Sequence, residues 1–181
     1  MTPPQTNIQG QAMKELNARN AALIALAASC FIQVGAQLFA LTVVASTVAE
    51  APPRSFAMFE GQYGYDSEAF WSTVPPITFA LFVVALLANW KTQRRRLLLL
   101  ALVMFTAAGL AAGLLVEPLF AEMIAKGYGN QVDPVLQSRA ATWYRLDWLV
   151  WGLTAATGLV LLLALLRPVA TAPKSEALTH G

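Results

Sequence analysis

The sequence predicts an all-α integral membrane protein, a four-helix bundle with up-down-up-down topology and an aromatic and acidic extracytoplasmic cap. Of its 181 residues 57% are hydrophobic and only 12% are charged, whereas soluble domains carry about 25% charged residues. Four stretches that hold about half of the chain lack Asp, Glu, Lys and Arg; they are 20–49, 69–90, 97–116 and 148–166. Each reaches or approaches the roughly 20 residues that a transmembrane helix needs.

The first stretch is expected to be a retained helix and not a cleaved signal peptide. About twenty mostly polar residues precede it, and it is about twice as long as the 7–15 residues of a signal-peptide core. The predicted bundle occupies residues 20–167, between a polar tail at 1–19 and a C-terminal tail at 168–181 that we expect to be disordered. The four predicted spans are approximately 21–49, 74–90, 97–117 and 143–166.

The distribution of basic residues predicts the orientation, because cytoplasmic connections are enriched in Lys and Arg. The opposite connections hold Arg54, Lys126, Arg139 and Arg145 together with most of the acidic residues. Both termini should therefore be cytoplasmic, in a plasma membrane of the bacterial inner-membrane type. The eight basic residues on the predicted cytoplasmic side are Lys14, Arg19, Lys91, Arg94, Arg95, Arg96, Arg167 and Lys174.

The two outer connections are patterned. In the first, aromatic residues alternate with acidic ones, which is typical of an element at the membrane interface, and Pro75 and Pro76 are expected in the first turn of the second span. In the second, a helix over 119–126 should end at Gly127. Asp133 and Pro134 should then act as N-cap and first residue of a helix that runs to Leu166. That helix would be roughly 50 Å long, so it should project beyond the hydrocarbon.

Composition excludes several classes of function. A net charge of +2 provides no basic face for nucleic acid. The single cysteine, Cys30, rules out an internal disulfide or a CxxC pair. The single histidine, His180, lies next to the C-terminus, which makes haem, copper and di-iron sites unfavourable. We therefore expect no metal and no cofactor.

Two glutamines, Gln33 and Gln37, share one face of the first span because they are four residues apart. Polar groups in hydrocarbon need hydrogen-bond partners. The pair is therefore either part of a ligand pocket or a source of interhelical hydrogen bonds. On the third span, Gly109 and Gly113 form a small-residue face that serves either packing within the chain or contact with a second copy or a partner subunit.

The candidate site lies where the third span ends and the fourth begins. Folding the chain back near residue 130 brings Glu117 level with Trp143, and Trp143, Asp147 and Trp151 share a helix face. One interpretation is a site with Glu117, Arg145 and Asp147 as catalytic candidates. The other is an ion pair of Arg145 or Arg139 with Glu117 inside an interfacial aromatic belt. The aromatic candidates for ligand contact are Trp143, Tyr144, Trp148 and Trp151.

The order of these features also carries a family resemblance. Phe70-Trp71 and Pro75-Pro76 enter the second span, Glu117-Pro118 ends the third, and the segment from Trp143 to Trp148 opens the fourth. Over about residues 20–167 this order resembles the anthrone-oxygenase-like superfamily of small bacterial four-helix membrane proteins. The resemblance implies the helix bundle and a cofactor-independent oxygenase activity on a hydrophobic substrate.

Three classes of function follow from these residues. The first is a membrane protein that binds a hydrophobic or aromatic small molecule at its outer end, with or without catalysis. The second is a structural or accessory subunit of a membrane complex. Proton-coupled transport ranks last, because such proteins usually place a carboxylate deep within a span. Besides any small molecule or partner chain, the expected contacts of the bundle are membrane lipids.

Overall fold

The computed structural model describes residues 5–168, with side chains from residue 18 onward, and within that part of the chain every regular element is helical. The predicted disorder of the C-terminal tail and His180 fall outside the described residues. The elements are α1 (Gln5–Phe39), a first π-helical segment (Ala40–Ala45), α2 (Ser46–Glu50), a 3-10 helix (Arg54–Phe59), α3 (Glu68–Ala88), α4 (Arg95–Ala111), a second π-helical segment (Ala112–Val116), α5 (Glu117–Ile124) and α6 (Pro134–Leu166).

Four helical stretches are long and apolar enough to cross a membrane. Large apolar side chains such as Val103, Leu114 and Leu149 are exposed along them, which fits contact with lipid rather than with water. The prediction of an all-helical protein with four membrane-length helices is confirmed. The four stretches are Ala18–Glu50, Glu68–Ala88, Arg95–Ile124 and Pro134–Leu166.

Helix packing divides the interior into two clusters. Helix α6 packs on α1 and α4, while α3 packs on α1 and α4. One cluster includes Leu26, Phe82 and Leu161 and lies toward the turn between α3 and α4, which we call the hairpin end. The other includes Val48, Met123 and Trp143 and lies toward the loops at 51–67 and 125–133, which we call the loop end.

Both π-helical segments lie near the loop end, and each has a local cause. At the first, Thr42 within the segment and Ser46 and Thr47 just after it donate hydroxyl hydrogen bonds to carbonyls four residues earlier, at 2.7–2.8 Å. Such bonds supply partners for carbonyls of a loosened turn. The second ends two residues before Pro118, which has no N–H and whose ring crowds the carbonyl of Leu114. The chain therefore widens into a π turn before this proline.

Local signals at the helix ends had mixed outcomes. The Asp133 carboxylate accepts from the backbone N–H of Val135 at 2.8 Å, and α6 begins at Pro134 as predicted. Gly127 has a φ of +70°, the left-handed conformation expected of a glycine that ends a helical turn. The prediction that Pro75 and Pro76 lie in the first turn of the second helix was wrong, because α3 already begins at Glu68 and both prolines lie inside it.

The hairpin end is closed by one buried guanidinium. Arg94, only 4% exposed, donates to the carbonyls of Arg167 (2.9 Å) and Leu165 (3.2 Å) and to Asn20 Oδ1 (2.6 Å). Burial lowers the pKa of this guanidinium from its ordinary value. Since the last carbonyls of a helix have no partner within it, Arg94 completes the C-terminus of α6 and ties it to α1.

The small-residue face of the third span has no close neighbour among the described residues. Gly109 and Gly113 are exposed, and no atom of another element lies within 4 Å of where a Cβ would be on either glycine. Close helix approach within the chain occurs at Gly158, where a Cβ would lie 3.0 Å from the ring of Phe31. Packing among the described helices therefore does not use the two glycines.

Candidate functional site

A cavity of about 530 Å³ opens at the loop end. Its walls come from the end of the first membrane helix, the start of α3, the second π-helical segment with α5, and the first half of α6. The lining residues are Gln37, Ala40, Val44, Ala45, Phe59, Tyr65, Asp66, Ser67, Glu68, Trp71, Ser72, Ala112, Val116, Glu117, Phe120, Trp143 and Asp147. This volume lies within the roughly 300–1,000 Å³ of small-molecule sites.

Both π-helical segments contribute to the cavity wall. Ala40, Val44 and Ala45 come from the first, and Ala112 and Val116 from the second. A π turn inside an α-helix is rare and is frequently found at functional sites. Here the side chains that the two segments present are small or short, so they leave room between the helices.

Aromatic rings form one continuous side of the cavity. Phe59 packs edge to face on Tyr65 and on Phe120, with ring centroids 6.2 and 5.6 Å apart. Phe120 stacks on Trp143 at 5.1 Å with an interplanar angle of 24°. Rings from the first outer loop, α5 and α6 are thereby joined, and together with Trp71 they provide a wall for an apolar ligand.

Four carboxylates face the same cavity. Asp147 Oδ1 accepts from the Gln37 amide at 3.3 Å, and the negative charge of Glu117 acts unfavourably on Asp147. Asp66 Oδ1 accepts from the backbone N–H of Glu68 at 2.8 Å. No Lys or Arg among the described residues lines the cavity. Hence none of these four carboxylates has an ion-pair partner there.

Trp143 leaves one hydrogen-bond donor without a partner. Its side chain lines the cavity and is 6% exposed, yet its indole Nε1–H has no acceptor among the described residues. A buried N–H without an acceptor costs roughly 1–3 kcal/mol. Trp151, two turns further along the same face of α6, donates to the Val34 carbonyl at 3.2 Å. Among the described tryptophans, only Trp143 has a fully buried N–H without an acceptor.

The structure brings together part of the predicted site. Glu117 and Trp143 line one cavity, as the fold-back near residue 130 predicts, and Asp147 joins them. Arg145 is exposed, outside the cavity lining and without an ion pair in the described chain. Arg139 contacts Glu122, not Glu117, at 3.3 Å.

Other predicted ligand contacts lie beside the cavity. Tyr144, Trp148 and Trp151 are half-buried against the loop-end cluster and do not line the cavity. Tyr144 and Trp151 each pack edge to face on Trp148, with centroids 6.2 and 5.4 Å away. These three rings therefore contact other side chains of the protein and not the cavity.

The two glutamines have different environments. Gln33 donates to Thr78 Oγ1 at 2.5 Å, and Ser29 shares a hydrogen bond with the same hydroxyl at 2.6 Å, which links α1 to α3. Gln37 links α1 to α6 through Asp147 and also lines the cavity. Both glutamines therefore form interhelical hydrogen bonds, and Gln37 alone is part of the cavity wall as well.

Sequence reasoning placed several lining residues in the outer cap without assigning them to the site. This group consists of Tyr65, Asp66, Glu68 and Trp71. Nothing in the sequence singles out Phe120 on α5, which also lines the cavity. The alternation of rings and acids in the first outer connection was their signal. That pattern indicates an interface but not which helix the interface covers.

A second cavity, of about 460 Å³, lies at the hairpin end and is basic. Its charged lining residues are Lys91, Arg95, Arg96 and Arg167, and the Arg95 guanidinium lies 5.1 Å from the centroid of Trp90. Among residues 18–168, no three His, Cys, Asp or Glu side chains are arranged to hold a metal ion. Comparison of the chain with family models, with curated proteins and with solved structures found no match.

Proposed function

We propose that this protein is a multi-pass plasma-membrane protein that binds a small molecule with a hydrophobic or aromatic body in the loop-end cavity. In this proposal the four helices run up-down-up-down, both termini are cytoplasmic, and the loop end forms an outer cap. The observation that carries the proposal is the cavity itself, which has the size of a small-molecule site and is lined by five aromatic rings. The aromatic wall would hold the apolar part of the ligand.

A cavity-filling variant tests the binding site. Ala112→Phe places a ring at the second π-helical segment, in the cavity wall, whereas Ala107→Phe places the same ring at an exposed position of α4. Mass spectrometry of the intact protein released from detergent should detect a retained small molecule in the wild type and in Ala107→Phe. It should be lost in Ala112→Phe. Equal retention in both variants would contradict the proposal.

Thiol labelling tests the orientation. In a Cys30→Ala background, a membrane-impermeant maleimide applied to intact cells should label Asn130→Cys, in the second loop of the loop end. It should label Gln93→Cys, in the hairpin, only after the cells are opened. Both positions are exposed, so access to the reagent depends on the side of the membrane. The reverse labelling pattern would overturn the proposed orientation.

A second candidate role is that of an accessory subunit. The exposed Gly109 and Gly113, with open space around each, favour close approach by a helix of another chain. The same mass measurement separates the roles, because a stoichiometric second chain in place of a small molecule would favour assembly. An oxygenase-like reaction is a third candidate. Asp147→Asn and Glu117→Gln should then abolish turnover while the protein still folds.

A further inference from the structure

We propose that the ligand of the loop-end cavity is an organic cation, an amine or quaternary ammonium group attached to an apolar or aromatic body. This inference rests on the proposed function and adds the charge and class of the ligand. It follows from what the cavity wall contains and from what it lacks.

Charge is the first argument. Asp66, Glu68, Glu117 and Asp147 line the cavity, and no described basic residue does. Basic side chains exist at this end but lie elsewhere, since Arg139 pairs with Glu122 and Arg145 is exposed. Asp66, Glu68 and Glu117 are exposed at the mouth of the cavity and Asp147 lies deeper, and charges of one sign that line a cleft give it a negative potential. That potential repels an anion and attracts a cation.

The depth of one carboxylate is the second argument. Asp147 lies well inside α6 and is only partly exposed. The neutral Gln37 amide is its hydrogen-bond partner, and Glu117 adds a like charge. A carboxylate at membrane depth is costly unless a positive charge or water neutralises it. The described residues that line the cavity supply no such charge, so a bound cation would remove the cost.

The aromatic wall is the third argument. Five rings line the cavity, including the stacked pair of Phe120 and Trp143. Aromatic faces attract ammonium groups through their quadrupole, and cages of such rings are a common means of holding quaternary ammonium ligands. The same rings bury an apolar body. Rings together with carboxylates therefore fit an amphipathic cation better than a neutral or anionic lipid-like molecule.

A set of matched probes tests which ligand charge the cavity prefers. The probes share one phenylbutyl body and differ in the head group, which is trimethylammonium, the uncharged tert-butyl isostere or sulfonate. Binding to the full-length protein in a non-ionic detergent is measured by calorimetry. The cation should bind at least about tenfold more tightly than the neutral isostere. The sulfonate should bind most weakly.

Two variants locate the effect. Asp147→Asn and Glu117→Gln each remove one charge without changing side-chain size, and each should weaken cation binding by about tenfold. Binding of the neutral probe should stay unchanged. Glu122→Gln is the control, because Glu122 lies at the same end but outside the cavity lining. Since Glu117 is exposed, its variant remains informative if Asp147→Asn fails to fold.

The outcomes separate the two proposals. If the neutral or anionic probe binds as tightly as the cation, and Ala112→Phe blocks that binding, the organic-cation inference is wrong while the cavity remains a binding site. If no probe binds, and mass spectrometry finds the same retention of a small molecule in Ala112→Phe and Ala107→Phe, the proposed function itself is wrong. If Glu122→Gln weakens binding of the cationic probe as much as Asp147→Asn does, the probe is attracted by the charge of the outer surface and not by the cavity.

Discussion

The hairpin end and the loop end differ in how fully their least exposed charged side chain is hydrogen-bonded. At the hairpin end, Arg94 fills three acceptors contributed by α1 and by the end of α6, and among the described residues only the Asn89 side-chain oxygen lacks a donor. At the loop end, the partly buried Asp147 has the neutral Gln37 amide as its hydrogen-bond partner, and the buried Trp143 N–H has no acceptor among the described residues. The least exposed charged group is thus fully hydrogen-bonded at the hairpin end and only singly hydrogen-bonded at the loop end.

The two ends also differ in charge. The hairpin-end cavity is lined by four cationic side chains and the loop-end cavity by four anionic ones. The basic residues are mostly exposed, so that water or lipid head groups can solvate them. At the loop end Asp66, Glu68 and Glu117 are exposed as well, and only Asp147 lies deeper. Under the proposed function, the basic charge of the hairpin end favours a cytoplasmic location for that end, and a bound cation would neutralise Asp147 at the loop end.

The largest effect on stability is expected at the hairpin end. Arg94→Met removes three hydrogen bonds and leaves two carbonyls at the end of α6 without donors, so the free energy of unfolding should fall by about 3 kcal/mol. Arg96→Met removes the same charge from an exposed site and should cost less than about 0.5 kcal/mol. Detergent-titrated unfolding followed by circular dichroism measures both. An equal loss of unfolding free energy in Arg94→Met and Arg96→Met would show that the buried guanidinium does not stabilise the hairpin end.

A smaller loss is expected between the two ends. Thr78→Val keeps the side-chain shape but removes the hydroxyl shared by Ser29 and Gln33. Interhelical hydrogen bonds in membranes contribute about 0.6–2 kcal/mol, so the loss should be near 1 kcal/mol. The exposed Thr73→Val is the control and should be neutral. An unchanged unfolding free energy for Thr78→Val would mean that Gln33 finds another partner.

At the loop end, removing a charge should not destabilise the fold. Asn at position 147 can still accept from Gln37, and it no longer repels Glu117. Asp147→Asn should therefore leave the free energy of unfolding unchanged or raise it by up to about 1 kcal/mol. The measurement is the same unfolding titration, without ligand. A clear loss of stability would make Asp147 a structural residue and remove the contrast with Arg94.

The smallest effect is expected at the surface of the loop end. The Arg139 and Glu122 side chains are 49% and 65% exposed, so their ion pair at 3.3 Å is well solvated. Arg139→Gln should lower the free energy of unfolding by less than about 0.5 kcal/mol, and less still at high salt. A double-mutant cycle with Glu122→Gln isolates the pair. A coupling energy above that limit would show that the outer surface also stabilises the fold.

The sequence predicted what depends on composition and local signals. Gaps between charges located the four helices, and Asp133 and Gly127 marked the ends of local elements because their chemistry acts within a few residues. Apart from the approach of Glu117 to Trp143, the tertiary contacts could not be predicted from the sequence. Nothing local distinguishes Arg94 from Arg95 or Arg96, although only Arg94 is buried. The π-helical segments consist of ordinary apolar residues, and the second is explained by Pro118 only once the helix is seen to continue through it.

The two π-helical segments can also be described as single-residue insertions. A π turn holds one residue more than the α turn it replaces, so it resets the rotational phase of everything that follows it. If Ala40–Ala45 wound as a regular α-helix without losing a residue, the remainder of the first membrane helix would rotate by about 100°. Val48 would then leave the core, and Val44 or Ala45 would leave the cavity wall. The π turn thus sets which side chains face the core and the cavity, although it changes neither the composition nor the hydropathy of the helix.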